Sequence, residues 1–128
     1  MAFMGLGLSK NITLERIVLS ENDFCNRECI HYLVKGLLDN QEGSRLIDID
    51  LQRNRMTSET VEPFVDLFEQ NLKIRSLNLR HNVITDEGGQ LLAQAVVNNE
   101  FITKLICDMN PIRHSILADI EQHTRQNQ

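Results

Sequence analysis

The acidic pair Asp48 and Asp50 is the arrangement in this sequence that comes nearest to a catalytic or metal site. The two residues lie two positions apart, and at this spacing on a β-strand both side chains point to the same face. Two neighbouring carboxylates can serve acid–base chemistry or bind a metal ion. Because Arg16 and Arg53 are expected nearby, the sequence favours a solvated ladder of opposite charges instead.

His81 is the other residue whose type could support chemistry, as a general base. A base needs a Ser or Cys nucleophile within hydrogen-bond reach, but Ser76 lies five positions away and Cys107 is expected to point into the core. Cys29 is also predicted to be buried, and Cys25 stands at a helix start where a thiol would be partly exposed. The sequence contains no zinc-ligand spacing, Walker loop or GxGxxG motif. We therefore predict a chain without catalytic residues, cofactor or metal.

Composition limits the remaining function classes. The chain has 128 residues, enough for one domain, and its net charge of −5 argues against nucleic acid, whose phosphates require a basic face. No apolar run approaches the roughly 20 residues that a membrane span needs. The short apolar N-terminus has no preceding positive region and makes a poor signal peptide. These features predict a cytoplasmic protein, with cytoskeletal and axonemal locations left open.

The elements that must position these residues come from an internal repeat. The pattern LxxLxLxxNxI fits residues 14–24, 46–56, 74–84 and 102–112. Its LxL alternation predicts a short strand with one buried face. The asparagine follows the strand, where the chain bends and leaves backbone groups unpaired, so its amide is expected to bond those groups in every repeat. The predicted structural ladder consists of Asn22, Asn54, Asn82 and Asn110.

The segments between the motifs have the apolar spacing of helices. Thr57 and Thr85 occupy the same helix-cap position in successive repeats. The pattern predicts parallel strands over 14–19, 46–51, 74–79 and 102–107, and helices over about 27–39, 58–70, 86–98 and 113–125. Three of these helices are expected to end at asparagines, namely Asn40, Asn71 and Asn99.

This unit of strand, Asn turn, Thr-capped helix and closing Asn resembles the ribonuclease-inhibitor-like class of leucine-rich repeats. The run LNLRHNVITDEG from Leu77 to Gly88 carries the resemblance most clearly, which covers roughly residues 8–126. The class includes tropomodulin and leiomodin, the Ran GTPase-activating protein, NOD-like receptors and axonemal repeat proteins, and no specific member is indicated. The resemblance implies an α/β solenoid with a parallel concave sheet, convex helices and a protein partner.

A single leucine-rich repeat domain is predicted to span residues 1–128. It divides into a partial N-terminal repeat (1–13), three repeats (14–45, 46–73 and 74–101), and a last repeat with a C-terminal capping helix and a frayed tail (102–128). The N-terminal part supplies only one or two helical turns, so strand 14–19 would be an unpaired edge. We therefore expect self-association, or a place in a larger assembly, through residues near Phe3–Leu19.

The function predicted from the sequence is a non-catalytic protein-interaction scaffold. Side chains beside the strand leucines point to the concave face, where they are free of core packing and held on rigid strands. Two alternatives remain: regulation of an enzyme, as by a GTPase-activating protein, and an actin-binding cap of the tropomodulin type. The predicted protein-binding residues are Asp48, Asp50, Arg53, Asn78, Arg80 and His81.

Overall fold

A computed structural model of the protein describes residues 2–24, 26–70 and 72–128. The strands of this part are β1 (Arg16–Val18), β2 (Asp48–Asp50), β3 (Ser76–Asn78) and β4 (Lys104–Ile106). Its helices are α1 (Ala2–Leu8), α2 (Arg27–Asp39), α3 (Ser58–Val61), α4 (Pro63–Glu69), α5 (Asp86–Ala95) and α6 (His114–Arg125). The predictions for Cys25 and Asn71 lie outside the described residues.

The strands form one parallel sheet in the order β1-β2-β3-β4. The central residues of the four strands, Ile17, Ile49, Leu77 and Leu105, lie in register across it. Every connection between neighbouring strands contains at least one helix, as parallel pairing requires. The predicted α/β leucine-rich-repeat solenoid with a four-stranded parallel sheet is confirmed.

The hydrophobic core lies between this sheet and the helices. Ile49 and Leu77 of the sheet, Leu33 of α2 and Phe64 of α4 are all 0% exposed. Successive helices also contact one another, from α1 with α2 to α5 with α6. This packing holds the strands rigidly, so side chains on the opposite, open face of the sheet have fixed positions.

A break at Glu62 interrupts the helix predicted over 58–70. Pro63 has no N–H and cannot continue the hydrogen-bond ladder of α3, but it is well suited to the first position of a new helix, where it begins α4. Thr57 caps α3 as expected: its hydroxyl accepts from Thr60 N, and the Thr60 hydroxyl accepts from Thr57 N. One predicted helix is therefore two short ones.

The N-terminal helix α1 packs closely against α2 through two glycines. A Cβ on Gly36 would lie 2.3 Å from the carbonyl oxygen of Gly5, and a Cβ on Gly5 would lie 2.4 Å from the carbonyl oxygen of Tyr32. Any larger residue at either position would force the helices apart. The backbones therefore approach closely because neither position carries a side chain.

A column of asparagines ties the helix ends of successive repeats together. Asn40 Nδ2 donates to Asn11 O over 2.6 Å, Asn99 Nδ2 donates to Phe68 O over 3.1 Å, and Asn127 Nδ2 donates to Asn99 O over 2.8 Å. Each amide thus reaches back to the preceding repeat. The expectation of a frayed C-terminal tail is wrong, because Asn127 continues the spacing of this column 28 residues after Asn99.

Candidate protein-binding face

The open face of the sheet carries the side chains that flank the central strand residues. One column, in register across the strands, consists of Arg16, Asp48, Ser76 and Lys104. The next consists of Val18, Asp50, Asn78 and Ile106. Strands in a sheet lie about 4.8 Å apart, so neighbours in a column can contact each other directly.

The carboxylates of Asp48 and Asp50 each bond a different neighbouring residue. Asp48 Oδ2 lies 3.2 Å from Arg16 Nε in an ion pair. Asp50 is only 7% exposed, and its two oxygens accept from the backbone N and side-chain Nε2 of Gln52 over 3.1 and 3.2 Å. Within the described residues no cluster of His, Cys, Asp and Glu could hold a metal ion. Each carboxylate instead has its own structural partner.

Asn78 repeats the local role of Asp50 one repeat later. Its Oδ1 accepts from Arg80 N over 3.0 Å, as Asp50 Oδ1 accepts from Gln52 N. A side-chain oxygen that bonds the backbone two residues ahead turns the chain at the end of a strand. Asp50 and Asn78 lie on the predicted face, but their polar groups already stabilise turns.

The residue before each ladder asparagine has a left-handed backbone without being glycine. The four residues at this position have φ between 56° and 61°: Glu21, Arg53, His81 and Met109. This conformation is unfavourable for residues with a Cβ. It persists because the neighbouring turn is fixed on both sides, and all four side chains are exposed at the rim of the open face. No glycine signals this turn in the sequence, so it could not be predicted.

On the open face of the first two repeats, charged side chains form ion pairs with one another. Arg16 pairs with Asp48, and Arg53 Nη1 lies 3.0 Å from Glu21 Oε1. All four of these groups are at least partly open to water, so the pairs contribute little to stability. Arg53, one of the predicted binding residues, therefore already has an acidic neighbour.

On the open face of the last two repeats, four ionisable side chains have no such partners. Arg80, His81, Lys104 and Asp108 are exposed, and none of them forms an ion pair with another described residue. Arg80 and His81 were predicted from the sequence as binding residues, but Lys104 was not. Lys104 lies in register with Arg16, Asp48 and Ser76, but this position in the repeat does not show which charged side chains have partners.

Exposed apolar side chains lie beside these free charges. Met109 is 57% exposed and Val83 is 50% exposed, both in the turns that follow β4 and β3. The C-terminal half of the open face thus combines free cations with apolar surface. Such a mixture is typical of surfaces that bind proteins.

The ladder asparagines fix the turns that carry this face. Asn54 Oδ1 accepts from Asn22 N over 2.8 Å, and Asn54 Nδ2 donates to Leu19 O and Leu51 O. Asn82 Oδ1 accepts in turn from Asn54 N over 2.9 Å, and Asn82 Nδ2 also donates to Leu51 O. The same bonds recur from repeat to repeat, so these side chains act within the fold.

The two ends of the ladder differ. Asn110 Nδ2 donates to Leu79 O and Cys107 O over 2.9 and 3.0 Å, and its Oδ1 accepts from Ile84 N. Asn22 is exposed, and its amide donates only to Ser20 O over 2.9 Å. No strand precedes β1 in the described part of the chain, so Asn22 has no earlier turn to bond.

The buried thiol of Cys107 has no feature of a reactive group. Burial and, to a smaller extent, the neighbouring Asp108 carboxylate together raise its pKa from 9.0 to about 12. A thiol in this state is protonated near neutral pH and is a poor nucleophile. Cys107 therefore serves as a core residue in the place of a leucine.

The comparisons with known proteins support the repeat fold. The family described as "Leucine Rich repeat" matches residues 70–93. By sequence, no curated protein matches the chain. Among solved structures, "Leiomodin-1 Actin-Binding Site 2 (ABS2)" is similar with a TM-score of 0.70 at 13% identity, covering 96% of this chain and 87% of that chain.

A second similar structure is the tropomodulin C-terminal domain of Caenorhabditis elegans. It has a TM-score of 0.65 at 12% identity, covering 97% of this chain and 90% of that domain. At these identities the likeness shows the shared fold. None of the helices that the structure describes is long and apolar enough to cross a membrane.

Proposed function

We propose that this leucine-rich-repeat chain is a non-catalytic scaffold that binds a partner protein through the C-terminal half of its open face. The observation that carries the proposal is a group of exposed basic side chains in the last two repeats that form no ion pair with another described residue, namely Arg80, His81 and Lys104. They are exposed on strands and turns fixed by the core and the asparagine ladder. Fixed side chains lose little freedom on binding, which favours recognition.

The face has the other features that a protein-binding surface needs. Val83 and Met109 supply exposed apolar area beside the charges. Four of the six predicted binding residues already have partners: Asp50 and Asn78 bond their own turns, Asp48 pairs with Arg16, and Arg53 pairs with Glu21. We therefore shift the centre of the proposed site toward Arg80 and His81.

A paired substitution tests this site. Arg80→Glu with His81→Asp changes two exposed side chains, and Asp is tolerated in the left-handed conformation of residue 81. The matched control is Lys35→Glu with His31→Asp, which changes the same charges on the exposed face of α2. Proteins retained from a cell extract by each immobilised form are quantified by mass spectrometry. The proposal expects a partner that the control retains and the Arg80/His81 variant loses, and identical retention would contradict it.

Actin is a second candidate partner, favoured by the similarity to a structure named for actin binding. Co-sedimentation of the purified chain with filamentous actin tests it directly. Saturable binding that the Arg80/His81 variant weakens would indicate that actin binds at the proposed open-face site. Absence of binding to both filaments and monomers would remove actin and leave the scaffold proposal in place.

The N-terminal end is proposed as a separate contact for self-association. Phe3 is 90% exposed and Leu6 is 57% exposed on α1, and Val18 is 54% exposed on β1, whose outer edge pairs with no described strand. Apolar side chains beside an open strand edge favour association. Sedimentation velocity at micromolar concentration should show a dimer or larger species that Phe3→Ser weakens, and a strictly monomeric chain would contradict this proposal.

A further inference from the structure

The C-terminal end of the solenoid carries a groove of about 890 Å³ between β4 and α6. Its apolar floor includes Leu105, Ile112, Leu117 and Ile120. Helix α6 contacts both β4 and α5, and within the described residues no strand pairs with the outer edge of β4 beside this groove. The predicted C-terminal capping helix thus leaves the backbone groups on this edge of β4 without a neighbouring strand in the described part of the chain.

Backbone donors along this groove have no acceptor. In each of the first three repeats, the N–H of the leucine after the strand donates to the next strand over 2.8 Å, as Leu79 N does. The N–H two residues later does the same, as His81 N does over 3.1 Å. Cys107 and Met109 hold these two positions in the last repeat. Within the described residues no acceptor lies opposite their N–H groups.

The C-terminal residue marks where this open edge begins. Thr103 N donates to Arg75 O over 2.9 Å, and the matching carbonyl of the last repeat, Thr103 O, accepts from Gln128 Nε2 over 3.1 Å. The Gln128 side chain thus occupies the position of the next repeat's backbone. The edge that remains available runs from Lys104 to Met109.

Two free charges of opposite sign stand at the ends of this edge. Lys104 lies at its start and Asp108 near its end, both exposed and outside every ion pair of the described residues. On the first two strands, neighbouring positions of one column carry opposite charges, with Arg16 paired to Asp48 at 3.2 Å. A further strand in the same direction would meet Lys104 first and Asp108 last.

We propose that the groove binds an extended segment of a partner protein, which adds a fifth, parallel strand beside β4. The segment has the order acidic, apolar, any residue, apolar, basic. Its acidic side chain pairs with Lys104 and its basic side chain with Asp108. Its two apolar side chains lie level with Leu105 and Cys107 and enter the groove above Leu117. Strand addition of this kind takes affinity from backbone hydrogen bonds and specificity from alternate side chains.

Two labelled peptides with the same composition test the polarity of the segment. One has the core Glu-Leu-Val-Leu-Lys and the other Lys-Leu-Val-Leu-Glu, each with the same neutral flanking residues. Fluorescence anisotropy with the full chain should show binding that is roughly tenfold tighter for the first, since reversal replaces two attractions by two repulsions. Equal affinity, the opposite preference or no binding would overturn the proposal.

A charge reversal on the protein gives the complementary test. Lys104→Glu with Asp108→Lys changes two exposed side chains and should invert the preference between the two peptides. The matched control, Lys35→Glu with Asp39→Lys, makes the same reversal on exposed positions of α2 and should leave the preference unchanged. An unchanged preference in the first variant would show that the peptides bind elsewhere.

Backbone methylation of the peptide separates strand addition from a purely apolar contact. In a parallel pair, alternate residues direct their N–H groups to the same neighbour. The N–H of the central residue faces β4, because it lies level with Ile106, and the next N–H faces away. N-methylation of the central residue should abolish binding, and methylation of the following residue should be tolerated. Equal effects would overturn the proposal.

The groove shares Lys104 with the proposed open-face site, but Arg80 and His81 do not line it. The Arg80/His81 variant should bind the preferred peptide as the unchanged chain does, so a failure of one proposal is distinguishable from a failure of the other. Sedimentation with and without peptide tests a second copy of the chain as the occupant. Self-association that the peptide reverses would assign the groove to that second copy and overturn the partner segment.

Discussion

The largest expected effect of a single ladder substitution is that of Asn82→Ala. The side chain of Asn82 is 5% exposed, and its Oδ1 accepts from Asn54 N and Met56 N, both over 2.9 Å. Replacement by alanine leaves these two buried N–H groups without an acceptor. Three carbonyls also lose a donor, but Leu51 O keeps Asn54 Nδ2, Leu79 O keeps Asn110 Nδ2 and Arg80 O keeps Arg53 N.

The magnitude follows from counting the groups that are left unpaired. A buried donor without a partner costs about 1–3 kcal/mol. Two such donors, partly relieved by water entering the space of the lost amide, give about 2–4 kcal/mol for Asn82→Ala. Asn22→Ala is the matched control, because Asn22 is exposed and its amide makes one bond, to Ser20 O. Its expected cost is below about 0.5 kcal/mol.

Urea unfolding followed by circular dichroism measures both variants under the same conditions. The free energy of unfolding should fall strongly for Asn82→Ala and hardly for Asn22→Ala, with similar denaturant slopes. If the two variants shift the midpoint equally, the hydrogen bonds of the ladder do not stabilise the turns, and the reasoning from buried donors is refuted.

Two further predictions concern close packing and the buried thiol. Gly36→Ala should lower the free energy of unfolding by about 1–3 kcal/mol and expose α1 to limited proteolysis, because its Cβ would overlap Gly5 O. Gly7→Ala meets no atom within 4 Å and should stabilise α1 by about 0.5–1 kcal/mol; equal effects of the two would contradict the packing argument. The Cys107 pKa is raised from 9.0 to about 12, so the unfolded chain loses this proton first and stability falls as pH rises above 9. Between pH 8 and 10 this group lowers the free energy of unfolding by about 1.4 kcal/mol. Urea unfolding of the unchanged chain and of Cys107→Val at both pH values measures this contribution as the difference between their pH dependences. The same pH dependence in the Val variant would contradict the assignment.

The sheet could be predicted because the same residue types recur at the same spacing in every repeat. Each leucine pair at LxL spacing needs one buried face, and the identical spacing of Asn54, Asn82 and Asn110 fixes which residues lie side by side. The strands are shorter than predicted. At the ends of β2 and β3, the side-chain oxygen of Asp50 or Asn78 bonds the backbone two residues later and turns the chain.

The missed helix break and the missed caps have local causes. Pro63 lies within an apolar pattern that otherwise predicts one continuous helix. The prediction followed this pattern, although proline has no backbone N–H. Thr85 occupies the cap position of α5 but makes no side-chain cap bond. Ser58 of the preceding repeat accepts from Gly88 N over 2.9 Å instead. Such a cap comes from a residue 30 positions away, and spacing within one helix does not indicate it.

The candidate site was predictable only as a set of positions. The strand pattern places Asp50, Arg80 and Lys104 on one face, but it does not show that Asp50 is covered or that Lys104 is left without a partner. Those outcomes depend on the reach of neighbouring side chains across the sheet. The groove at β4 was not predicted from the sequence, because the apolar pattern of α6 shows that the helix packs on the core but not how much of β4 it covers.

The direction of the ladder bonds sets the order in which the turns can close during synthesis on the ribosome. Asn54 accepts from the backbone of Asn22, and Asn82 accepts from that of Asn54, so each turn is completed by an asparagine 28 to 32 residues later in the chain. The ribosome releases the N-terminal repeat first. The turns at Asn22 and Asn54 therefore wait for the next repeat to emerge, and the nascent chain carries an unfinished turn at its growing end. A translational pause leaves the newest turn open to chaperones while the older turns are already closed.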